Sequence, residues 1–415
     1  MLRLTITLAI ILSTISCYAI DLEEAIGRAI KNSSRIKSQF YQYKGVEKQL
    51  KSSGLVGFFP DIGLKYKFNE NFGFDDKSGR LQLGKSLYLN QRLMDGGSSF
   101  AMFNHSNYSL KVEKIKFYQL KQEVALNALK AYVDVLQKTE ILKLMEHKER
   151  VSMEHLSSMK KRFSLGEVTS AEVSLARAKF SSSMSKRVDA EGQLKSANIA
   201  YYHLIGENPD YLSEANDNLP SVPELNECLR LAKTNNLNLK AAIYQKKAAS
   251  MEVIAEYSKW LPSLTFSASK NFGTQDINLS TLSDSHGVNV GFVLDVPIFK
   301  KGTNVFGISR AKMNVKRVTY DYYEAVKNIE QMVINAWNNV LTAKSIIKAS
   351  QEAEKAATLA LEGVDQEVNL NLKSTTDLLD TEDALFKARS DLVEAKSNYV
   401  TSVYRLLFII NGINL

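Results

Sequence analysis

Cysteine and proline are scarce in this 415-residue chain, with two of the first and six of the second. Cys17 sits at the end of an N-terminal apolar stretch that reads as a removable leader, which leaves Cys228 alone. A single cysteine makes no internal disulfide, so stability has to come from packing. Pro60, Pro209, Pro220, Pro223, Pro262 and Pro297 leave two long proline-free stretches, 61–208 and 298–415. A proline inside a helix costs roughly 3 kcal/mol, so these stretches permit very long helices. Beyond the leader, no segment reaches the ~18 consecutive apolar residues of a membrane helix. If the chain enters a bilayer, it does so with strands.

Signatures of chemistry are missing as well. The sequence holds no G-x-S-x-G, no Walker loop and no Cys/His metal spacing. The five histidines, His105, His147, His155, His203 and His286, are dispersed. His147 and His155 fall about two helical turns apart, too far for an i, i+4 metal pair, and surface or core roles suit them better. Nothing supports an enzyme, a cofactor or a metal. The formal charge is +8, yet Lys and Arg alternate with Glu and Asp along the sequence, which describes a solvated mixed-charge surface and not a nucleic-acid stripe. With 45% hydrophobic and 24% charged residues the composition is globular, which excludes disorder.

What is present begins with the leader. Met1–Arg3 is basic, Leu4 to Ile15 is mostly apolar, and Cys17-Tyr18-Ala19 offers small residues at −3 and −1 of a cleavage site. Cleavage after Ala19 starts the mature chain at Ile20. The alternative is lipidation of Cys17, although Ser13-Thr14-Ile15-Ser16 lacks the leucine of a lipoprotein box.

The mature chain repeats itself at a period of roughly 200 residues, which divides it into a leader (1–19), a first copy (20–220) and a second copy (221–415). Leu22, Ala25, Ala29 and Asn32 recur as Leu225, Cys228, Ala232 and Asn235, and Asn71-Phe72-Gly73 recurs as Asn271-Phe272-Gly273. Late in each copy Val173, Phe180, Arg187, Leu194 and Tyr201 align with Leu378, Leu385, Leu392, Tyr399 and Leu406. Ala176, Ser183, Ala190 and Ala197 align likewise with Thr381, Ala388, Ala395 and Ser402. Seven-residue spacing with large and small residues at alternate seam positions lets helix backbones approach closely; an ordinary two-helix coiled coil has the same pattern. In the other long helix of the first copy, Phe117, Leu120, Val124, Ala128, Ala131, Val135, Leu142 and Met145 form one stripe with Leu129, Tyr132 and Leu136 beside it. Two adjacent stripes call for a neighbour on each side, as in a ring of helices or a plain bundle.

After Phe58-Phe59-Pro60, which recurs as Trp260-Leu261-Pro262, the period changes to two in each copy. Ile62, Leu64, Tyr66 and Phe68 alternate with polar residues, as do Leu81, Leu83, Leu87 and Leu89, where Lys85 breaks the apolar set. Leu264, Phe266 and Ala268, then Val288, Val290, Phe292 and Leu294, repeat the pattern in the second copy. Each copy thus carries one hairpin, its strands long enough to cross a bilayer when tilted. A soluble half-buried sheet has the same alternation. Four strands leave two open edges, which lipid does not tolerate. A membrane sheet then has to close with copies of itself, and eight strands from two chains or twelve from three both satisfy this.

These residues together resemble the TolC-like outer-membrane efflux proteins (outer membrane factors) over nearly the whole mature chain. The resemblance rests on the start Leu22-Glu23-Glu24-Ala25 with Asn32, and on the proline before each hairpin. It rests further on Gln91-Arg92-Leu93-Met94-Asp95-Gly96-Gly97, Arg162-Phe163-Ser164-Leu165-Gly166 and Val296-Pro297-Ile298-Phe299 with Gly302. It implies a mainly α chain with four β-strands, a homotrimer sharing a twelve-stranded transmembrane barrel, and a long α-helical barrel across the periplasm. Passive conduction is implied, driven by an inner-membrane pump or ABC transporter through a periplasmic adaptor (membrane fusion) protein, in contact with outer-membrane lipid and not with nucleic acid. The chain is short for the family and ends soon after the second return helix, which implies a reduced mid-barrel belt.

In the family, the polar turns between the long helices form the periplasmic tip where the adaptor docks, here Leu165, Gly166 and Glu167, then Leu370, Asn371 and Leu372. Thr169-x-x-Glu172 is a capping box and Ser374-x-x-Asp377 a looser version of one, which already explains two of the acids. Asp377 and Asp380 share one helix face and match the family's entrance aspartates, a carboxylate ring that favours cations. Lys373 stands where the family often has an arginine tying the tip shut, with Glu172 as an acidic partner, and a lysine lacks that bidentate fork. Val368 stands in place of a gating tyrosine, and Asn371 in place of the glycine matched by Gly166. Weaker closure of the tip is the expectation. The competing class is an exported coiled-coil scaffold without a pore, which explains the heptads and leader but not the paired hairpins.

Overall fold

The computed structural model describes residues 20–71, 80–213, 219–276, 283–299, 302–370 and 372–410; the expected leader at 1–19 lies outside them. The elements follow in the order α1 (Leu22–Asn32), α2 (Ser34–Leu55), β1 (Asp61–Asn71), β2 (Arg80–Asp95), α3 (Ser98–Ser164), α4 (Ser170–Ile205), α5 (Leu225–Asn235), α6 (Leu237–Ser258), β3 (Ser263–Asp276), β4 (Ser283–Asp295), α7 (Thr303–Asn369) and α8 (Thr375–Ile409). The proline-free stretches do form long helices: α3 and α7 have 67 residues each, ~100 Å at 1.5 Å per residue. The chain resolves into two compact units, each assembled from both halves of the sequence.

The first unit comprises residues 1–36, 120–231 and 332–415. The four small residues expected at the heptad seam of α4, Ala176, Ser183, Ala190 and Ala197, are buried, at 4, 1, 5 and 4% exposure, as are Tyr201 and Ile205 at its end. Val173, Phe180, Arg187 and Leu194 beside them are only half-buried. On α3, Ala128, Leu129 and Tyr132 are wholly buried. Arg187, the polar exception in the heptads, bonds Glu149 of α3 at 2.5 Å and Glu191 at 3.0 Å. At the end of α4, Gly206 adopts φ 90°, and a Cβ there would lie 2.5 Å from the amide nitrogen of Asn32. That amide donates to the Ile205 carbonyl at 2.6 Å, so the Asn32 of the opening motif caps the return helix. Ile20 is pinned alongside Leu212 by a short parallel bridge, where the Tyr132 hydroxyl donates to the Ser213 carbonyl at 2.7 Å.

The second unit comprises residues 37–119 and 232–331. Its four strands form one antiparallel sheet in the order β1-β2-β3-β4, and at 11, 16, 14 and 13 residues they are long enough to cross a bilayer when tilted, as expected. Residues paired directly across antiparallel strands share a face. Leu64 pairs with Leu87, Leu89 with Ala268, and Phe266 with Phe292, so one face is mostly apolar, with Lys85 opposite Tyr66 and with Lys270 and Gln91 opposite Leu87 and Phe266. It is also uncovered: Ile62, Leu64, Tyr66, Phe68, Val288 and Phe292 are 59–69% exposed. The Asp95-Gly96-Gly97 motif turns β2 into α3. The Asp95 carboxylate accepts from the amides of Gly97 at 3.1 Å and Ser99 at 2.8 Å. Gly96 has φ 62°, and any Cβ would meet Leu261 and the Ser258 carbonyl within 3 Å.

Charge that is mixed along the sequence is sorted between the units. The sheet-bearing unit holds 26 Lys and Arg against 15 Asp and Glu, and the other holds 27 against 30. The basic excess of the chain therefore resides wholly with the sheet and its adjoining helices.

Candidate functional site

The two turns expected at the tip both belong to the first unit, and they are built alike. In the first, α3 unwinds through Leu165, whose amide donates to the Lys161 carbonyl. The Glu167 amide then reaches back to the Arg162 carbonyl at 2.9 Å. Gly166 takes φ 78°, the left-handed conformation that closes such a helix end. In the second, the Leu372 amide reaches the Glu367 carbonyl at 2.8 Å, the equivalent bond 205 residues later. Asn371, expected in the place of Gly166, lies outside the described residues. Leu165, Leu370 and Leu372 are 73, 69 and 72% exposed, leaving an apolar tip on each turn.

Both capping boxes form. The Glu172 carboxylate accepts from the Thr169 amide at 2.6 Å while the Glu172 amide donates to Thr169 Oγ1 at 3.3 Å. Ser374 and Asp377 make the same exchange at 3.0 and 3.2 Å. The bond from the Thr169 backbone holds Glu172 below its usual pKa, and the Ser374 hydroxyl and amide do the same for Asp377. Each acid thus fixes a helix start as well as carrying charge.

Lys373 and Glu172 line one cleft between the turns, with Val368 and Arg162, but they do not pair with one another. Lys373 bonds Glu367 of its own turn at 2.8 Å, and Arg162 bonds Glu167 of the other at 3.1 Å. The reason is local: in both turns the chain folds back over the last helical turn, which brings the charge after the turn onto the charge before it.

Asp377 and Asp380 lie on one face of α8 as expected, but Asp380 is not free. Lys179 of α4 holds it at 2.8 Å and also reaches Asp383 at 3.1 Å, while Lys148 of α3 reaches Asp383 at 2.5 Å. His155 Nε2 stands 3.7 Å from Glu382. The bond to Asp380 raises the Lys179 pKa despite partial burial. For Asp383 burial acts upward, but the two lysines outweigh it and hold the carboxyl below its usual value. This ladder joins α3, α4 and α8, and sequence reasoning missed it. Its signal was Asp383, a third acid at three-residue spacing after Asp377 and Asp380.

The model of the outer membrane efflux protein family matches residues 29–207 and again 228–412. This chain belongs to that family. It is 25% identical to the outer membrane efflux protein BepC of Brucella suis over 77% of this chain and 70% of that one. It is 22% identical to the alkaline protease secretion protein AprF of Pseudomonas aeruginosa over 94% of this chain and 84% of that one. The solved structure of CusC, described as a transmembrane channel, matches with a TM-score of 0.83 at 16% identity over 94% of this chain and 91% of that one. As an outer membrane efflux protein, the chain places its sheet in the outer membrane as a four-stranded part of a β-barrel and its long helices in the periplasm. None of its helices is long and apolar enough to cross a membrane among the described residues.

Proposed function

We propose that three copies of this chain close a twelve-stranded barrel in the outer membrane, continued by a helical duct in the periplasm. The duct conducts substrates passively, receiving them from an inner-membrane pump or ABC transporter through a periplasmic adaptor. The observation that carries this reading is the sheet. Its mostly apolar face is exposed along β1 and β4, and these two strands each present an unpaired edge. In hydrocarbon every backbone polar group has to be satisfied within protein, so the edges need further copies, and only a closed barrel removes them. Membership of the efflux family favours three copies over two. No step of conduction calls for catalysis, cofactor or metal.

The duplicated element order, with the family model matching once in each half, supports reading 20–220 and 221–415 as two copies of one unit. Asp377 and Asp380 line the periplasmic entrance in this reading, the exposed leucines and polar residues of the two turns receive the adaptor, and the ties of Lys373, Glu367, Lys179 and Asp380 hold the entrance shut. BepC and AprF differ in the cargo that their names indicate, efflux substrates in one and a protease in the other, and the chain resembles both.

Fractionation and conductance test this. The purified protein is expected as a heat-modifiable trimer from the outer membrane, forming cation-selective pores in planar bilayers. A soluble periplasmic protein would overturn the duct and favour the scaffold. Asp377→Ala with Asp380→Ala is expected to abolish the cation preference, and unchanged selectivity would remove these residues from the entrance.

A further inference from the structure

The apolar, membrane-facing side of the sheet carries two lysines that conduction does not use. Tyr66 of β1 pairs with Lys85 of β2, and Leu87, two residues on, pairs with Lys270 of β3. All four side chains therefore share the face that holds Leu64 and Phe266. A register shift between Gly84 and Ser86 sets Lys85 across from Phe272 and Gly273. Lys270 Nζ stands 5.4 Å from the centre of the Phe272 ring. The two cations are thus diagonal neighbours, ~7–8 Å apart at the backbone, with the Phe272 ring beside Lys270 and Tyr66 across from Lys85. Among the described residues, neither lysine has a carboxylate partner.

A lysine on the lipid face of a barrel is costly at the midplane and cheap near the interface. The end of the membrane where this pair belongs follows from the topology. At one end β1 to β4 join α2, α3, α6 and α7, which are charged and periplasmic. Lys85 and Lys270 lie toward the other end, where the hairpins turn, beyond the Leu264–Leu294 and Ala268–Val290 pairs. Their stems can carry the ammonium groups up to the outer-leaflet headgroups, and aromatic residues at that level are usual for a barrel.

We propose that Lys85 and Lys270, with Tyr66 and Phe272, bind the phosphate of a phosphorylated glycolipid of the outer leaflet. Two ammonium groups on one face match a doubly charged phosphate, and the rings and neighbouring leucines match its acyl chains. The site rests on the sheet's place in the membrane and not on the gate or the cargo.

Native mass spectrometry of the detergent-purified oligomer tests it, with lipid A, dephosphorylated lipid A or phosphatidylglycerol added. The wild type is expected to retain lipid A, and Lys85→Gln with Lys270→Gln to retain it about tenfold less or weaker still. Lys85→Arg with Lys270→Arg, recovered as the same oligomer, is expected to keep it. Dephosphorylated lipid A should fall to the level of the glutamine variant. Equal retention by wild type and glutamine variant, or phosphatidylglycerol held as well as lipid A, overturns the site while leaving the barrel intact. A wild type that forms no oligomer overturns the barrel reading itself.

Discussion

Lys179 of α4 holds Asp380 of α8 at 2.8 Å, so one acid of the proposed entrance pair carries a counter-charge from its own chain. A carboxylate ring built from Asp380 is therefore weaker in the tied state than a count of acids suggests. Lys179→Gln frees Asp380 and half-frees Asp383, which keeps Lys148. The cation-to-anion permeability ratio is expected to rise by a few-fold, since a partly exposed pair is worth up to ~1 kcal/mol. The reversal potential across a salt gradient measures it. A fall in the ratio, or no change, removes Lys179 from the electrostatics of the entrance.

Acid should loosen both turns before it unfolds the helices. Glu172 and Asp377 have pKa values lowered by their capping bonds, so the stability they contribute is fully present above their unfolded values, ~4.3 and ~3.9. It is lost as the pH falls through the lower folded values. Amide hydrogen exchange at the starts of α4 and α8 is expected to quicken across that window. In Glu172→Gln the α4 response should disappear while that of α8 remains. Thr169→Ala and Ser374→Ala are each expected to cost about 1 kcal/mol of local stability at neutral pH.

The long helices, the hairpins and the capping boxes were legible because each is written locally, in proline gaps, in periods of seven and two, and in Ser/Thr-x-x-acid spacing. The exchange of Ala176, Ser183, Ala190 and Ala197 into the buried seam was legible for the same reason. The ladder of Lys148, Lys179 and Asp383 was not, since Lys179 and Asp383 meet across 204 residues and no spacing rule connects them. Lys373 was assigned to Glu172 by resemblance, but backbone geometry within its own turn gives it Glu367. The segregation of charge was hidden because each unit is woven from separate stretches of the chain.

The seam of α4 predicts opposite outcomes for two nearby substitutions. Ala190 is 5% exposed at a position where helices touch, and Ala190→Leu inserts three carbons where a methyl fits. It is expected to destabilise by roughly 1–3 kcal/mol. Gly192 lies on the open side of the same helix, where an added Cβ meets nothing within 4 Å. Gly192→Ala is expected to stabilise by about 0.4–1 kcal/mol. Thermal unfolding of the purified protein followed by circular dichroism distinguishes them, and a harmless Ala190→Leu would mean that the seam is loose.

Tyr132 and Tyr201 are both wholly buried, with ring centres 6.4 Å apart, yet their hydroxyls differ. That of Tyr132 donates to the Ser213 carbonyl at 2.7 Å and so ties the segment after α4 to α3. That of Tyr201 has no hydrogen-bond partner among the described residues, and burial pushes its pKa up to about 12. Removing a bonded hydroxyl loses the bond and strands its acceptor, whereas removing an unbonded one takes away a desolvation cost. Tyr132→Phe is therefore expected to lower stability by about 1 kcal/mol, and Tyr201→Phe to leave it unchanged or raise it. Denaturant unfolding of the two variants at neutral pH measures both. Above pH 10 the wild type should lose stability that Tyr201→Phe retains, because the unfolded tyrosine ionises near 10 while the buried one stays neutral until its own higher pKa.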